Sequence, residues 1–215
     1  MKRTLSDHDR NRLDTLIADV EKRTNTQIVL ALIQRGDIYA ELPWKAFAFG
    51  ASFIGLLVFI LDLLFYGWYS WITVIIAVAG ILAGGAIFAL LTVLIPGFAR
   101  QFLSAFRAEV EVRQYAESLF LSRELFATSK RTGILVLVSL FEQKVVILPD
   151  RGLSDQLTQD VMQNIIAAMT LFLKRFEISR AFEAGLEQLS HTLGTNVKGT
   201  GKNELSDEII EEKGV

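Results

Sequence analysis

The residues of this chain best spaced for chemistry are three aspartates that follow an apolar run. Lys144-Val145-Val146-Ile147-Leu148 is closed by Pro149-Asp150-Arg151-Gly152, and Asp155 and Asp160 come shortly after. A carboxylate at a strand end, beside a helix start, supplies the hard oxygen ligands that Mg²⁺ or Ca²⁺ prefers. Asp150, Asp155 and Asp160 are therefore the candidate metal ligands, although turns and helix caps use the same residue types. Other chemistries find no pattern. His8 and His191 stand alone near the two ends, and there is no HExxH, no GxxxxGK[ST] and no GxSxG. The chain has no cysteine, which removes disulfides, thiolate ligands and cysteine nucleophiles. No catalytic residue and no cofactor-binding loop is assigned.

A further carboxylate, Asp62, lies in a different setting. Residues 46–66 read AFAFGASFIGLLVFILDLLFY with Asp62 as the single charge, and residues 71–95 carry none. At about 1.5 Å of rise per residue, roughly 20 residues cross the ~30 Å hydrocarbon core of a bilayer. Both segments satisfy this, and neither has the polar stripe of a core helix. Gly67-Trp68-Tyr69-Ser70 is a short turn between them, which predicts antiparallel neighbours. Trp68, Tyr69 and Trp71 would form an aromatic belt at that end, with Trp44 and Lys45 at the other. Asp62 sits near the turn, where it can reach the interface; a proton or ion role is the alternative. Gly84-Gly85 with Ala79, Gly80 and Ala83 give the second helix a smooth face for close packing, within the hairpin or between protomers. The turn has no Lys or Arg, whereas the flanks have Arg35, Lys45, Arg100 and Arg107. The positive-inside rule then predicts two spans with both termini in the cytoplasm. The amino terminus has no apolar core of the signal-peptide kind.

The rest of the chain must build the platform for these residues. Of the 215 residues 51% are apolar, with most of the excess between Ala46 and Ile95, and the net charge is -2. That balance offers no footprint for nucleic acid. Residues 5–23 are amphipathic, with Leu13, Leu16, Ile17 and Val20 on one face and a Ser6/Asp9 capping pair. Residues 27–33 and 132–140 are apolar without alternation, as strands buried on both faces are. Residues 144–148 return after Phe141-Glu142-Gln143, predicting an antiparallel hairpin. Residues 99–127 are predicted as one helix. Arg100, Arg107 and Arg113 on it are suited to anionic headgroups. Two helices follow, the first capped by Ser154 and the second opened by Ser179 and closed by Gly194. The expected fold is a three-layer α/β/α sandwich interrupted by a two-helix transmembrane hairpin. Its expected divisions are residues 1–43, the hairpin 44–97, residues 98–194, and a mobile acidic tail 195–215. A short helix over 203–210 is the alternative for the tail.

Arg123-Glu124-Leu125-Phe126, with the stretch Lys130-Arg131-Thr132-Gly133-Ile134-Leu135-Val136-Leu137-Val138-Ser139-Leu140-Phe141-Glu142-Gln143 running on to Gly152, resembles the TPM-domain family. So do Glu21 to Val29, the helix around Tyr115 to Phe120, and Asn203-Glu204-Leu205 in the tail. The likeness is greatest to small bacterial members with a hairpin inserted in the domain. It implies the three-layer fold and a place in the bacterial inner membrane. It also implies a role that organises or assists a membrane partner. The alternative it implies is a metal-dependent phosphatase, with metal binding carried over to Asp150. The run Leu148-Pro149-Asp150-Arg151-Gly152 departs from the glycine-rich loop of many relatives, which speaks against such a site. The expected partners are the lipid bilayer and another membrane protein, or a second copy met through the small-residue face of the second helix.

Overall fold

The computed structural model describes residues 5–65, 70–194 and 209–214. It consists of two compact units, Met1–Asp37 with Ala108–Val215, and Ile38–Arg107.

In the first unit, helix α1 (Asp7–Thr24) starts where the Ser6 hydroxyl accepts from the Asp9 N–H at 3.1 Å, with Leu5 buried beside it. It ends at Asn25, whose left-handed backbone lets its N–H reach the Glu21 carbonyl. Strand β1 (Gln27–Arg35) follows. Strands β2 (Gly133–Ser139) and β3 (Lys144–Pro149) form the predicted antiparallel hairpin. β1 and β2 pair in parallel, from Gln27 opposite Gly133 to Ile33 opposite Ser139. The apolar runs are explained by what covers them. Ile28, Leu30, Leu32, Ile134, Val136 and Val138 pack with α1 and with helices α6 (Gln159–Leu173) and α7 (Ile178–Leu193). The alternate residues Val29, Ala31, Ile33, Leu135 and Leu137 pack with Val112, Ala116 and Leu119 of helix α5 (Ala105–Ser122). Because successive strand residues face opposite ways, helices on both faces require an uninterrupted apolar strand. The three-layer α/β/α arrangement is the one expected.

Several boundaries differ from the sequence reading. The predicted helix 99–127 is broken: α4 (Pro96–Ala99) and a 3₁₀ turn over Arg100–Phe102 precede α5. Pro96 both stops the second apolar helix and opens α4, where its missing N–H costs nothing. Thr158, not Ser154, precedes α6, and Ser179 lies inside α7, bonded to Glu183. The tail is the larger correction. The sheet has four strands, ordered β3-β2-β1-β4, and β4 is Ile210–Gly214, parallel to β1. The segment lacks the length and β-branched density of a strand, but its two isoleucines find opposite cores. Ile209 joins the cluster of α1, α6 and α7, and Ile210 joins that of α5. The two glutamates are gripped in the same alternating way. Arg10 Nη2 binds Glu211, with Arg10 Nη1 donating to the Ile209 carbonyl at 3.2 Å. Tyr115 and Arg123 bind Glu212 at 2.7 and 3.1 Å. Residues 195–208, including most of the alternative helix, lie outside the described residues.

In the second unit, α2 (Glu41–Leu64) and α3 (Trp71–Leu94) pack antiparallel. α2 begins five residues ahead of the predicted span, because Pro43 falls in its first turn, where an N–H has no helical partner anyway. Ser70 caps α3 in a reciprocal pair with Thr73; the rest of the predicted turn, 67–69, is outside the described residues. The glycines make the seam. A Cβ on Gly50 would stand 2.7 Å from Phe88, on Gly84 2.5 Å from Ile54, and on Gly85 2.8 Å from Phe47. Gly84 and Gly85 are thus consumed inside the hairpin, while Gly80 faces open space. Phe49, Phe88, Phe98 and Phe102 form an edge-on aromatic chain that fixes α4 and the 3₁₀ turn against both helices.

A docked β4 makes a definite prediction. Ile210→Ala should destabilise the first unit by about 2–4 kcal/mol, the cost of a buried isoleucine truncation. Thermal or urea unfolding of the full chain measures it; a loss near zero would mean the terminal residues do not hold the sheet.

Candidate functional site

Asp150 is reached at the end of β3, where the chain turns sharply and the Asp150 N–H donates to the Gly133 carbonyl at 2.8 Å. Its carboxylate is almost wholly buried. Oδ1 accepts from the Arg151 N–H at 2.7 Å, capping a 3₁₀ turn over Arg151–Leu153. Oδ2 is 3.0 Å from Arg131 Nε. Arg131 is itself held, with Nη1 donating to the Phe126 carbonyl at 3.0 Å and its guanidinium over the Phe126 ring. The Gly152 N–H bonds the Arg131 carbonyl at 2.9 Å, and a Cβ at Gly152 would stand 2.4 Å from the Lys130 carbonyl oxygen. The Pro-Asp-Arg-Gly motif is therefore a corner joint that ties the end of β3 to the turn before β2. Glycine is required there by the close backbone approach.

The three predicted metal ligands are not brought together in this way. Asp155 and Asp160 are exposed, Asp160 in the first turn of α6, and Asp150 is occupied by Arg131 and the backbone. Among the described residues no group of three or more His, Cys, Asp or Glu side chains is placed to hold a metal ion. His8 and His191 are exposed on α1 and α7. Asp62 is exposed on α2, two residues before its end.

Two further carboxylates that sequence reasoning passed over sit where open α/β sheets commonly bind ligands, at or beside the carboxyl ends of the parallel strands. Glu142 is buried beyond β2; Oε1 accepts from the Gly36 N–H at 2.8 Å and Oε2 from the Ser139 hydroxyl. It staples the β2–β3 turn to the end of β1. Glu212 lines a polar groove of about 410 Å³ between α5 and β4, with Tyr115, Ser118, Leu119, Ser122 and Arg123. Burial and the hydrogen bond to Glu212 both push the Tyr115 phenol well above its usual range, so it is a proton donor and not a base at neutral pH. The Ser122 hydroxyl donates to the Leu119 carbonyl, within its own helix. The groove can bind a small polar group, yet its strongest donors already serve Glu212. The only sequence signal for it was the i, i+3, i+7 spacing of Tyr115, Ser118 and Ser122 on one face of α5; its acidic partner comes from a distant strand.

Residues 102–192, from the turn before α5 to the end of α7, match the model of the TPM domain. Over those residues the chain is similar to TPM domains. The match takes in β2, β3, the Asp150 corner, α6 and α7, while α1, β1 and β4 of the same compact unit lie outside it. Of the TPM-like stretches of the sequence, Tyr115 to Phe120, Arg123 to Phe126 and Lys130 to Gly152 fall inside this match, while Glu21 to Val29 and Asn203-Glu204-Leu205 fall outside it. The NMR structure of BA42 protein from the psychrophilic bacteria Bizionia argentinensis sp. nov. is similar over 99% of this chain and 98% of that one. The TM-score is 0.60 at 15% identity, a likeness of fold alone. No curated protein matches the chain.

Two outcomes follow for the first unit. Asp150→Asn should lower stability by about 1–3 kcal/mol, since it removes the charge from a buried oxygen facing a half-exposed arginine; unfolding curves measure this. Tyr115→Phe should cost about 1 kcal/mol at neutral pH, the value of one hydrogen bond. The folded state holds the Tyr115 proton more tightly than the unfolded state. Its contribution is therefore complete below the ordinary tyrosine value of 10.0 and declines as pH rises above it. The alkaline limb of a stability–pH curve should be shallower in Tyr115→Phe than in the parent.

Proposed function

We propose that the chain is a membrane-anchored TPM-like module of the bacterial inner membrane, which assembles with a membrane partner and performs no catalysis of its own. The observation that carries the membrane part is the surface of α2 and α3. Both are long and apolar enough to cross a bilayer, and only 6% of the most apolar window of each is buried. Phe53, Leu57, Ile60, Leu61, Ile75 and Leu82 are among the large side chains left outside. A soluble core helix with this composition would be covered by the rest of the protein. Apolar surface so continuous is not sustained in water, where patches beyond a few hundred Å² mark interaction sites. Lipid is the solvent that suits it.

The topology supports two spans with both flanks on one side. β1 and β2 lie next to each other in one sheet, and the hairpin is inserted between them in sequence. The chain that leaves after β1 must return to the same compartment to form β2. The cations Arg35, Lys45, Arg100 and Arg107 flank the hairpin, and none lies between Lys45 and Arg100, which favours the cytoplasm for both flanks. The non-catalytic part rests on the use already made of the carboxylates: Asp150, Glu142 and Glu212 each join separate segments of the domain. The partner is another membrane protein or a second copy, met through Ala79, Gly80 and Ala83 on the outer side of α3. That face remains after Gly84 and Gly85 are spent on the seam.

Alkaline carbonate washing of membranes containing the full chain should leave it in the pellet, and reporters fused at either end should both give the cytoplasmic signal. Release into the wash, or reporters on opposite faces, would overturn the anchored reading. The non-catalytic reading has its own test. The purified chain should not hydrolyse a generic phosphoester with Mg²⁺ or Ca²⁺ supplied. Hydrolysis abolished by Asp155→Ala with Asp160→Ala, exposed substitutions that spare the fold, would establish the phosphatase alternative instead.

A further inference from the structure

A strand-wide cleft runs along the carboxyl half of β1, and the segment that fills it is gripped from both faces of the sheet. β4 pairs with β1 only from Ala31 to Arg35. Nearer the start of β1, the Ile28 N–H is taken by the Glu21 carboxylate instead. Each position of the docked segment meets a different requirement. Ile209 and Ile210 enter the cores on opposite sides of the sheet. Glu211 is bound by Arg10 of α1, whose Nη1 also donates to the Ile209 carbonyl. Glu212 is bound by Tyr115 and Arg123, at the α5 face. Lys213 is exposed. Gly214 has a φ of 76°, and a Cβ there would collide with the Arg35 carbonyl oxygen, so only glycine fits. The cleft thus reads a pattern along an extended chain: two apolar residues, two acidic residues, a residue of any kind, then glycine.

The two sides of this joint differ in how much they need it. β1 requires a strand there: its residues from Ile28 to Ile33 are 5% exposed or less, and among the described residues no other strand meets that edge. β4 is the lightly held side. Only Ile210 of its five residues is buried, and it ends the sheet with a strand partner on one side. Fourteen residues separate Ile209 from Gly194, a reach of up to about 50 Å. Elements with little buried apolar surface are the first to open locally, and an opened sheet edge accepts an added strand. We propose that this cleft is a docking site for an extended segment of a protein partner carrying the same apolar-apolar-acidic-acidic-any-glycine pattern, with the chain's own carboxyl-terminal strand as the resident competitor. Main-chain bonds to β1 supply affinity, and Arg10, Tyr115 and Arg123 supply selectivity. The inference rests on the partner-assembling reading above, names the kind of segment the partner offers, and does not depend on the hairpin.

The probe is a fluorescent peptide with the chain's own sequence from Ser206 to Val215, titrated into the purified full chain. The chain has no cysteine, so an introduced pair makes a unique, reducible clamp. Gln34 and Lys213 are exposed and lie between the register pairs Ile33–Glu212 and Arg35–Gly214. Gln34→Cys with Lys213→Cys, oxidised, ties the resident strand in place and should bind no peptide; reduction should restore the binding seen with the parent. Glu211→Gln with Glu212→Gln in the chain weakens the resident strand and leaves Arg10, Tyr115 and Arg123 intact. Peptide affinity should then rise at least tenfold, because the open cleft is populated more often. Against that chain, peptides carrying Glu212→Lys or Gly214→Ala should each bind at least tenfold more weakly. Should the double glutamine variant fail to fold, the clamp gives the same comparison before and after reduction. Binding that persists in the oxidised clamp would place the peptide elsewhere and overturn the site. So would absence of binding to the reduced clamp and the glutamine variant alike. A disulfide-linked dimer between a chain with Gln34→Cys and one with Lys213→Cys would overturn a separate partner in favour of strands exchanged between copies. Each of these results leaves the membrane span and assembly through α3 standing. Failure of the assembling reading itself shows differently, as a chain extracted from native membranes without a partner that still binds the peptide.

Discussion

Hydrogen bonding between β1 and β2 is the constraint on which the remaining structure depends. The two strands are buried on both faces along their paired length, so every peptide group must find its partner in the sheet. A buried amide left unpaired costs about 1–3 kcal/mol, and a ladder of seven residue pairs multiplies that demand. Yet the strands are separated in sequence by two long apolar helices and α5. Parallel pairing requires the chain that leaves the carboxyl end of β1 to enter β2 at its amino end. The antiparallel helices bring the chain back to the side it left, and α5, packed on the strands, carries it along the sheet to β2. The glycine-lined seam of α2 and α3, with Phe47, Ile54 and Phe88 seated on Gly85, Gly84 and Gly50, keeps the outward and returning helices side by side.

Carboxylates close the first unit where its apolar core cannot. Glu21 accepts from the Ile28 N–H at 2.7 Å and fixes the step from α1 into β1. Glu142 joins the ends of β1 and β2, and Asp150 joins β3 to the turn before β2. Glu211 and Glu212 hold β4 from opposite faces. Each satisfies backbone amides or cations from segments that are neighbours in space, and burial strengthens such bonds by lowering the local dielectric. Of the three aspartates that look most reactive in the sequence, Asp150 is used in this way, while Asp155 and Asp160 are exposed. The second unit is held together differently, by close helix packing and an aromatic chain, with Glu41 bridging Lys45 and Arg107 where α2 begins.

Much of this was legible in the amino-acid sequence, for reasons of periodicity. Uninterrupted apolar runs marked β1 and β2 as doubly covered, and the i, i+3, i+4 spacing marked α1, α6 and α7. Two helices without a polar stripe were evident from length and composition alone. What misled was local resemblance between functions of the same residue. Asp150, Asp155 and Asp160 are close in sequence, but the corner at Gly152 and the start of α6 hold the first inward and leave the others exposed. Residues 99–127 keep a helical pattern through a break at Leu103, which follows the 3₁₀ turn pinned by Phe98 and Phe102.

The sequence by itself determined where the helices and the two central strands lie, and that one apolar pair stands apart from the rest. These depend on side-chain period and length, which are local properties of the chain. Only the tertiary structure decided the fourth strand, the groove between Tyr115 and Glu212, the fate of each carboxylate, and which glycines form the hairpin seam. Those rest on contacts between residues far apart in sequence. Ile210 becomes a strand residue, with Ile209 buried just before it, because two cores, one on each side of the sheet, meet at the open edge of β1.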